Sequence, residues 1–260
     1  MLNCENRRKE ILTIIEENKH ASIEKLCSIF NVNEQVIYRD LIYLEKINKI
    51  KRTSKGAIYP ESKTKKNALK LKQRETTFFK EKEAIGKFAS TLINDGESLM
   101  IDGGSTTIVF TTNIVHKNRM MVITNTSTIG SILKKGKRNR IILTGGQLLK
   151  NTYTTVGDLA ESVISQYRVN KAVISVCSIN IDEGSFYTNI EEEAKIKQAM
   201  IKSANEVIII ADSSKTEKEN VNFVCDFTLN KKLTLITDNK LSKEKKAALE
   251  AKKITVITVE

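Results

Sequence analysis

The chain has 260 residues, 40% of them hydrophobic, which is enough for one large or two modest domains with a buried core. No run of about 18 apolar residues is present, and four scattered cysteines and two histidines argue against a disulfide framework, a metal site or His-based catalysis. The formal charge of +12 is concentrated in residues 1–80, with 18 Lys and Arg against 10 Asp and Glu, as expected of a nucleic-acid-binding module joined to a near-neutral domain.

Three short helices are predicted in the N-terminal fifth. Apolar residues spaced by three and four predict a first helix over Arg7–Asn18, and Ser22 is placed to cap a second helix through Phe30. A third helix over 34–47 would bury one apolar seam and expose the opposite face. The buried seam consists of Ile37, Leu41 and Leu44, and the exposed face of Gln35, Arg39, Ile42 and Lys46.

This order of helices predicts a helix-turn-helix, and two short strands around residues 54–56 predict a wing with a basic tip. We expect Gln35, Arg39 and Tyr38 to address base edges or phosphates in the major groove, with Lys46 on the same face. The phosphate backbone would be held by Lys51, Arg52 and Lys55. The alternative for any single one of these residues is an ordinary solvated surface position.

The predicted first domain covers residues 1–59, and residues 60–80 form a lysine-rich, poorly apolar linker. The linker either runs along DNA or is a solvated spacer. From residue 81 to 260, apolar runs alternate with amphipathic helices, which predicts an α/β domain with a mostly parallel sheet covered on both faces.

Glycine, hydroxyl, amide and lysine residues follow four of the predicted strands. Because ligands of such sheets bind outside the carboxyl ends of the strands, these turns are expected to converge on one pocket. The turn after Leu99–Ile101 has the features of an anion site at a helix N-terminus, and its alternative is a plain helix cap. The four turns are Asp102 to Thr107, Thr124-Asn125, Thr144-Gly145-Gly146 and Asp212 to Lys215.

Motifs along nearly the whole chain resemble those of DeoR-type transcriptional regulators of sugar metabolism. In the first domain the matching motifs are Arg7-Arg8, residues 23–32, Arg39-Asp40-Leu41 with Leu44-Glu45, and Gly56-Ala57. In the second they are the four turns above and Glu193-Ala194 with Lys197 and Met200. Asn33, Val36, Tyr38 and Lys55 depart from the family pattern and bear on the operator sequence. Asn170 and Ser178 also depart, and we expect both to change the far wall of the pocket.

The resemblance implies a second domain with a fold similar to ribose-5-phosphate isomerase and CoA transferases, binding a sugar phosphate. Phosphate would be held by Gly104, Ser105, Thr106 and Thr107, with Lys215 as the counter-charge. Sugar hydroxyls would be bound, or the lysines oriented, by Asp102, Asn125, Glu193, Lys197 and Asp212. Thr124, Gly145 and Gly146 complete the predicted site. Glu193 and Lys197 have an alternative, since residues four apart on one helix often form a surface ion pair.

We therefore predict a DNA-binding transcriptional regulator, with repression preferred, whose operator affinity is controlled by a sugar phosphate. It is expected to be a cytoplasmic homo-oligomer, a dimer or tetramer, with no catalytic residue, cofactor, metal or membrane partner. Two alternatives stay open at this point. One is an isomerase or transferase that uses Asp102, Glu193 or Asp212 as a general base, and the other is a constitutive DNA binder whose second domain only oligomerises.

Overall fold

A computed structural model describes residues 4–18, 20–47, 49–53, 56–58, 74, 76–136 and 138–260, without the side chains at 5, 16, 17, 51 and 58. The chain divides into two compact units, Met1–Lys66 and Asn67–Glu260. Lys55, the Lys51 side chain and most of the predicted linker lie outside the described residues.

The first unit is a winged helix-turn-helix. Its described elements are α1 (Cys4–Asn18), β1 (His20–Ser22), α2 (Ile23–Phe30), α3 (Glu34–Lys46), β2 (Lys51–Thr53) and β3 (Gly56–Ile58). The Ser22 hydroxyl caps α2 by accepting from the Lys25 N–H at 3.2 Å, and Asn33 caps α3 by accepting from the Val36 N–H at 3.1 Å. The three strands form an antiparallel sheet in the order β1-β3-β2.

One apolar cluster holds this unit together. Ile37, Leu41 and Leu44 point from α3 into it, where they meet Ile11 and Ile15 of α1. The predicted seam of α3 is therefore confirmed, and the helix turns its other face outward because the seam occupies a single side.

The second unit is an α/β layer structure. Its helices are α4 (Phe79–Thr91), α5 (Ser105–Asn113), α6 (Ser127–Leu133), α7 (Asp158–Ser165), α8 (Glu191–Ser203) and α9 (Lys243–Ala251), with a 3₁₀ helix at Ser213–Glu217. The strands of its main sheet are β4 (Ser98–Ile101), β5 (Met121–Thr124), β6 (Arg140–Leu143), β9 (Val169–Ser175), β12 (Ala204–Ile210), β14 (Lys232–Asp238) and β15 (Thr255–Val259). The smaller strands are β7 (Gln147–Leu149), β8 (Thr154–Val156), β10 (Ser178–Asn180), β11 (Ser185–Thr188) and β13 (Asn222–Asp226).

The main sheet is parallel throughout, in the order β15-β14-β12-β9-β4-β5-β6. Its two faces are covered by separate apolar clusters, because successive residues of a strand point to opposite sides. In β12, Val207 and Ile209 pack on the side of α7, α8 and α9, whereas Ile208 and Ile210 pack on the side of α4, α5 and α6. The predicted parallel sheet covered on both faces is confirmed.

Two smaller antiparallel pieces were not predicted. β7 and β8 form a two-stranded hairpin, and β10, β11 and β13 form a three-stranded sheet. Their strands are three to five residues long, which is too short for a period to show in the sequence. Among the described residues, no helix has the length and apolar character needed to span a membrane.

Candidate functional site

The exposed face of α3 carries the side chains that the sequence predicts for base recognition. Gln35, Arg39 and Lys46 are exposed, and Tyr38 is 49% exposed. Arg39 has no ion-pair partner among the described residues, so its guanidinium is available to an external acceptor. A fork of donors on an outward helix face fits the acceptors of a guanine edge or a phosphate.

Arg52, at the middle of wing strand β2, is held against α3. Its guanidinium lies 2.6 Å from a carboxylate oxygen of Glu45, and its backbone N–H donates to the same carboxylate at 2.9 Å. The guanidinium carbon is also 5.1 Å from the ring centre of Tyr38. Both contacts fix the wing relative to the outward face of α3, and Glu45 offsets part of the charge that the sequence analysis assigned to phosphate binding.

Asp40 has a structural role that the sequence analysis did not assign. Its carboxylate is buried and accepts from Arg7 at 2.7 Å and from Arg8 at 2.8 Å, which ties α3 to α1. Arg8 also stacks over the Tyr43 ring, 4.0 Å from its centre. The sequence contained a hint of this contact, because Arg7-Arg8 and Asp40 both belong to the motifs that resemble those of DeoR-type regulators.

In the second unit, the four polar turns all follow strands of the parallel sheet and lie at its carboxyl edge. The centre of this edge is Asp102, which is buried directly after β4. Its carboxylate accepts from the N–H of Ser175 at 2.9 Å and from the Ser175 hydroxyl at 3.0 Å, and it forms an ion pair with Lys197 of α8. A cation and two further donors offset the cost of burying this carboxylate, and its two oxygens can accept from about one more donor.

Glu193 and Lys197 do not pair with each other, so the alternative of a surface ion pair is wrong. Both side chains are buried, and Glu193 accepts from the Thr154 hydroxyl at 3.1 Å while Lys197 contacts Asp102. The reason is that α8 packs this face against the sheet, where the strand ends and the β7–β8 hairpin supply nearer partners than the next turn of the helix.

The turn from Gly103 to Thr107 packs closely against its neighbours. A Cβ on Gly104 would overlap the Ser175 hydroxyl, and a Cβ on Gly103 would overlap the Thr154 methyl group, so a larger residue at either position would displace its neighbour. The Thr107 hydroxyl accepts from the Gly104 N–H at 2.7 Å and lies 2.6 Å from the Asp102 carbonyl. This hydroxyl thus closes the turn itself, whereas those of Ser105 and Thr106 have no hydrogen-bond partner among the described residues.

Asn125 contributes a buried acceptor without a partner. Its amide donates to the Thr155 carbonyl at 3.0 Å, but its Oδ1 meets no donor among the described residues. Buried polar atoms are nearly always hydrogen-bonded, so this oxygen is an acceptor open to a donor from a bound molecule or a water. The small pocket at this point is lined by Asp102, Gly103, Asn125, Thr154, Glu193, Ile196 and Lys197.

The β7–β8 hairpin covers this pocket, which the sequence analysis missed. Thr155 donates through its hydroxyl to the Asn125 carbonyl at 3.1 Å and lies 3.0 Å from the Thr144 hydroxyl. Gly145 and Gly146, predicted as pocket residues, adopt positive φ angles of 64° and 109° in the connection to β7 and do not line the small pocket. Thr124 is buried under the pocket, where its hydroxyl accepts from the Thr126 N–H at 3.4 Å.

Asp212 and Lys215 form a second ionic group at the same edge of the sheet. Lys215 lies 3.0 Å from the buried Asp212 carboxylate. Burial acts to raise the pKa of Asp212, but Lys215 and the Ser214 hydroxyl outweigh it, so the pKa lies below its ordinary value. Lys82 of α4 is also near Asp212. The pKa of its ammonium is lowered to about 8, chiefly by burial and also by the nearby cations Lys215, Arg74 and Lys218, while Asp212 opposes the shift. The carboxyl edge of the sheet therefore carries two ionic groups, one around Asp102 and Lys197 and the other around Asp212 and Lys215.

The prediction that Asn170 changes the far wall of the pocket is wrong. Asn170 lies at the start of β9, where its Oδ1 accepts from the Ser98 N–H at 2.8 Å. The beginning of a parallel strand is at the opposite edge of the sheet from the pocket, so Asn170 cannot shape the pocket wall. Ser178 lies beyond the carboxyl end of β9 and is buried, with a hydroxyl that has no partner among the described residues.

Comparison with known proteins identifies both units. Residues 7–63 match the model of the DeoR-like helix-turn-helix domain, and residues 77–239 match the DeoR C terminal sensor domain. The chain belongs to the DeoR family. The first unit of this DeoR-family regulator is therefore its DNA-binding domain, and the second is its sensor domain.

Proteins similar to this chain over most of its length are named as transcriptional regulators. The HTH-type transcriptional repressor GlcR of Bacillus subtilis is 33% identical over 90% of this chain and 88% of its own. The uncharacterized HTH-type transcriptional regulator YulB of the same organism is 32% identical over 97% and 96%. The glycerol-3-phosphate regulon repressor of Escherichia coli is 29% identical over 80% and 81%. The DeoR-family chain is accordingly a regulator and not an enzyme, which removes the isomerase or transferase alternative.

Among solved structures, ribose 5-phosphate isomerase A of Methanocaldococcus jannaschii aligns with a TM-score of 0.38 and 15% identity, over 52% of this chain and 53% of that one. A probable sor operon regulator from Shigella flexneri aligns with a TM-score of 0.36 and 11% identity, over 54% and 78%.

Proposed function

We propose that this DeoR-family regulator is a cytoplasmic, homo-oligomeric repressor whose affinity for its operator changes when a sugar phosphate binds at the carboxyl edge of the sensor sheet. The observation that carries the proposal is the buried Oδ1 of Asn125, which meets no donor in the described part of the chain and lines the same pocket as Asp102 and Lys197. A sugar hydroxyl is a donor of the right size for this position.

The sugar hydroxyls and the phosphate of such a ligand require different binding groups. Hydroxyl groups would bind Asn125 and the carboxylates of Asp102 and Glu193, which are acceptors. The phosphate would bind the N–H groups and free hydroxyls of Ser105 and Thr106 at the start of α5, with Lys215 as the cation. The Thr107 hydroxyl closes the turn and contributes to shape rather than to binding.

On the DNA side, Gln35, Tyr38 and Arg39 would contact bases while Lys46 and the wing residues Lys51, Arg52 and Lys55 would contact phosphates. Control of this binding requires that the sugar phosphate prefer one of two conformational states. A difference of about 1–3 kcal/mol between the states changes operator affinity roughly 5- to 150-fold.

The test uses the full chain and a panel of sugar phosphates. Thermal unfolding is measured with each compound, and binding to promoter DNA by fluorescence anisotropy at about 0.15 M salt. One compound is expected to raise the unfolding temperature and to change DNA affinity, and Asn125→Ala is expected to abolish both effects. Asn113→Ala is the control, because the Asn113 amide only donates to the Val109 carbonyl within α5 at 2.9 Å.

If no compound of the panel changes unfolding or DNA binding, the proposal is wrong and the constitutive DNA binder becomes the better interpretation. If a compound protects the Asn125→Ala variant as well as the wild type, the pocket has been placed wrongly.

A further inference from the structure

Strand β6 is the last strand of the main sheet, and no strand of the described residues pairs with its outer side. The N–H groups of Arg140 and Thr144 donate to β5, at 2.8 Å to Met120 and 3.1 Å to Thr124. Those of Ile141 and Leu143 therefore point away from the sheet, and neither has a backbone acceptor outside the sheet among the described residues. An open edge without proline or a bulge is a template for another strand.

Exposed leucines surround the end of this strand. Leu143 is 51% exposed, Leu148 of β7 is 57% exposed and Leu159 of α7 is 63% exposed. They flank the strand end from both faces of the sheet, since Leu159 of α7 lies against Gly145 and Leu143 lies against Gly130 of α6. Three leucines that are each more than half exposed thus lie beside one strand end, where they leave apolar surface uncovered next to the open edge.

The charges beside this edge are divided between its two ends. Arg138 and Arg140 are exposed at the start of β6, whereas Asp158 and Glu161 lie on α7 beside its end. If two copies of β6 pair antiparallel about a two-fold axis, the basic end of each strand faces the acidic end of the other. The edge is thus complementary to itself in hydrogen bonding and in charge.

We propose that this β6 edge, with Leu143, Leu148 and Leu159, is the surface through which the sensor units of two copies of this chain pair. The leucines supply an apolar centre, and the strand edge and charged ends supply the polar part of an interface of about 800 Å² per partner. The inference rests on the homo-oligomer of the proposed function and adds its location.

The same surface is connected to the effector pocket. Thr144 follows Leu143 directly and lies 3.0 Å from the Thr155 hydroxyl, which donates to Asn125. A ligand that moves Asn125 moves the hairpin carrying Leu148, so the pairing of the two copies depends on whether the pocket is filled. This gives the sensor a physical route to the spacing of two DNA-binding units.

The experiment measures the dimer dissociation constant of the full chain by sedimentation velocity from 0.1 to 50 µM, without ligand. Leu143→Glu is expected to weaken dimerisation at least about tenfold, because it places a charge in the apolar centre. Val221→Glu is the control, since Val221 is 78% exposed and lies on the loop before β13, away from this edge. Circular dichroism confirms that both variants are folded.

Charge reversal tests the antiparallel arrangement. Arg140→Glu is expected to weaken the dimer, and Arg140→Glu combined with Asp158→Arg to restore it. A wild type that stays monomeric at 50 µM refutes both this surface and the proposed homo-oligomer, while ligand binding is still measured independently by thermal unfolding. A wild-type dimer that Leu143→Glu leaves unchanged, or that the second reversal fails to restore, refutes this surface alone.

Discussion

The ion pair between Asp102 and Lys197 offers the sharpest test of how the sensor unit is held together. Lys197→Met keeps the length of the side chain and removes its charge, which leaves the buried Asp102 carboxylate with only the two donors of Ser175. Asp102→Asn makes the complementary change and leaves a buried lysine without a counter-charge. Both variants are expected to destabilise the sensor unit.

The expected loss of unfolding free energy follows from the burial of both Asp102 and Lys197. Removing one member of a buried pair costs about 3–5 kcal/mol, because the other charge is left without compensation. For a unit of the size of Asn67–Glu260, a loss of that order lowers the unfolding temperature by about 6–20 °C. The double variant leaves neither charge of this pair uncompensated, so its loss is expected to be about 2 kcal/mol smaller than the sum of the two single losses.

Urea unfolding followed by circular dichroism measures these losses, since the chain contains no tryptophan. Asp226→Asn is the control. Asp226 is exposed and accepts one side-chain hydrogen bond, from the Ser185 hydroxyl at 2.8 Å. Its substitution is therefore expected to lower the unfolding free energy by less than about 1 kcal/mol. If both single variants lose under about 1 kcal/mol and their losses are additive, the pair does not stabilise this edge and the reasoning fails.

Three further outcomes are expected. Arg39→Ala should weaken operator binding by about 1–3 kcal/mol in an anisotropy titration and leave the thermal shift by the sugar phosphate unchanged; loss of both would indicate misfolding. Gly104→Ala should destabilise the chain by about 1–3 kcal/mol because the new Cβ displaces Ser175, and Ser175→Gly in the same chain should recover part of the loss in urea unfolding. The pKa of Lys82 is about 8 in the folded chain and 10.5 as the reference value, so the unfolded chain binds more protons between these pH values. Stability should therefore rise with pH across that window, and Lys82→Met should reduce the rise in unfolding free energy; an unchanged slope would contradict the assignment.

Helices and strands could be predicted from the sequence where they are long enough for the spacing of their apolar residues to repeat. The seam of α3 and the seven-residue strands β9 and β12 show such patterns, and the parallel sheet follows from their alternation with helices. The hairpin of β7 and β8 and the small sheet of β10, β11 and β13 could not be predicted, because strands this short are defined by their partners rather than by their own residues.

The two-part organisation, the family and the residue types at the ends of the strands can all be read from the sequence. Which of these residues contact each other depends on how the helices pack on the sheet. Lys197 lies one helical turn from Glu193 but pairs with Asp102, which is 95 positions earlier in the chain, and Asp40 of α3 pairs with both arginines of α1. Spacing along a helix gives the direction of a side chain but not its surroundings. Once packing removes water from a charge, the nearest group of opposite charge becomes its partner, whichever element carries that group.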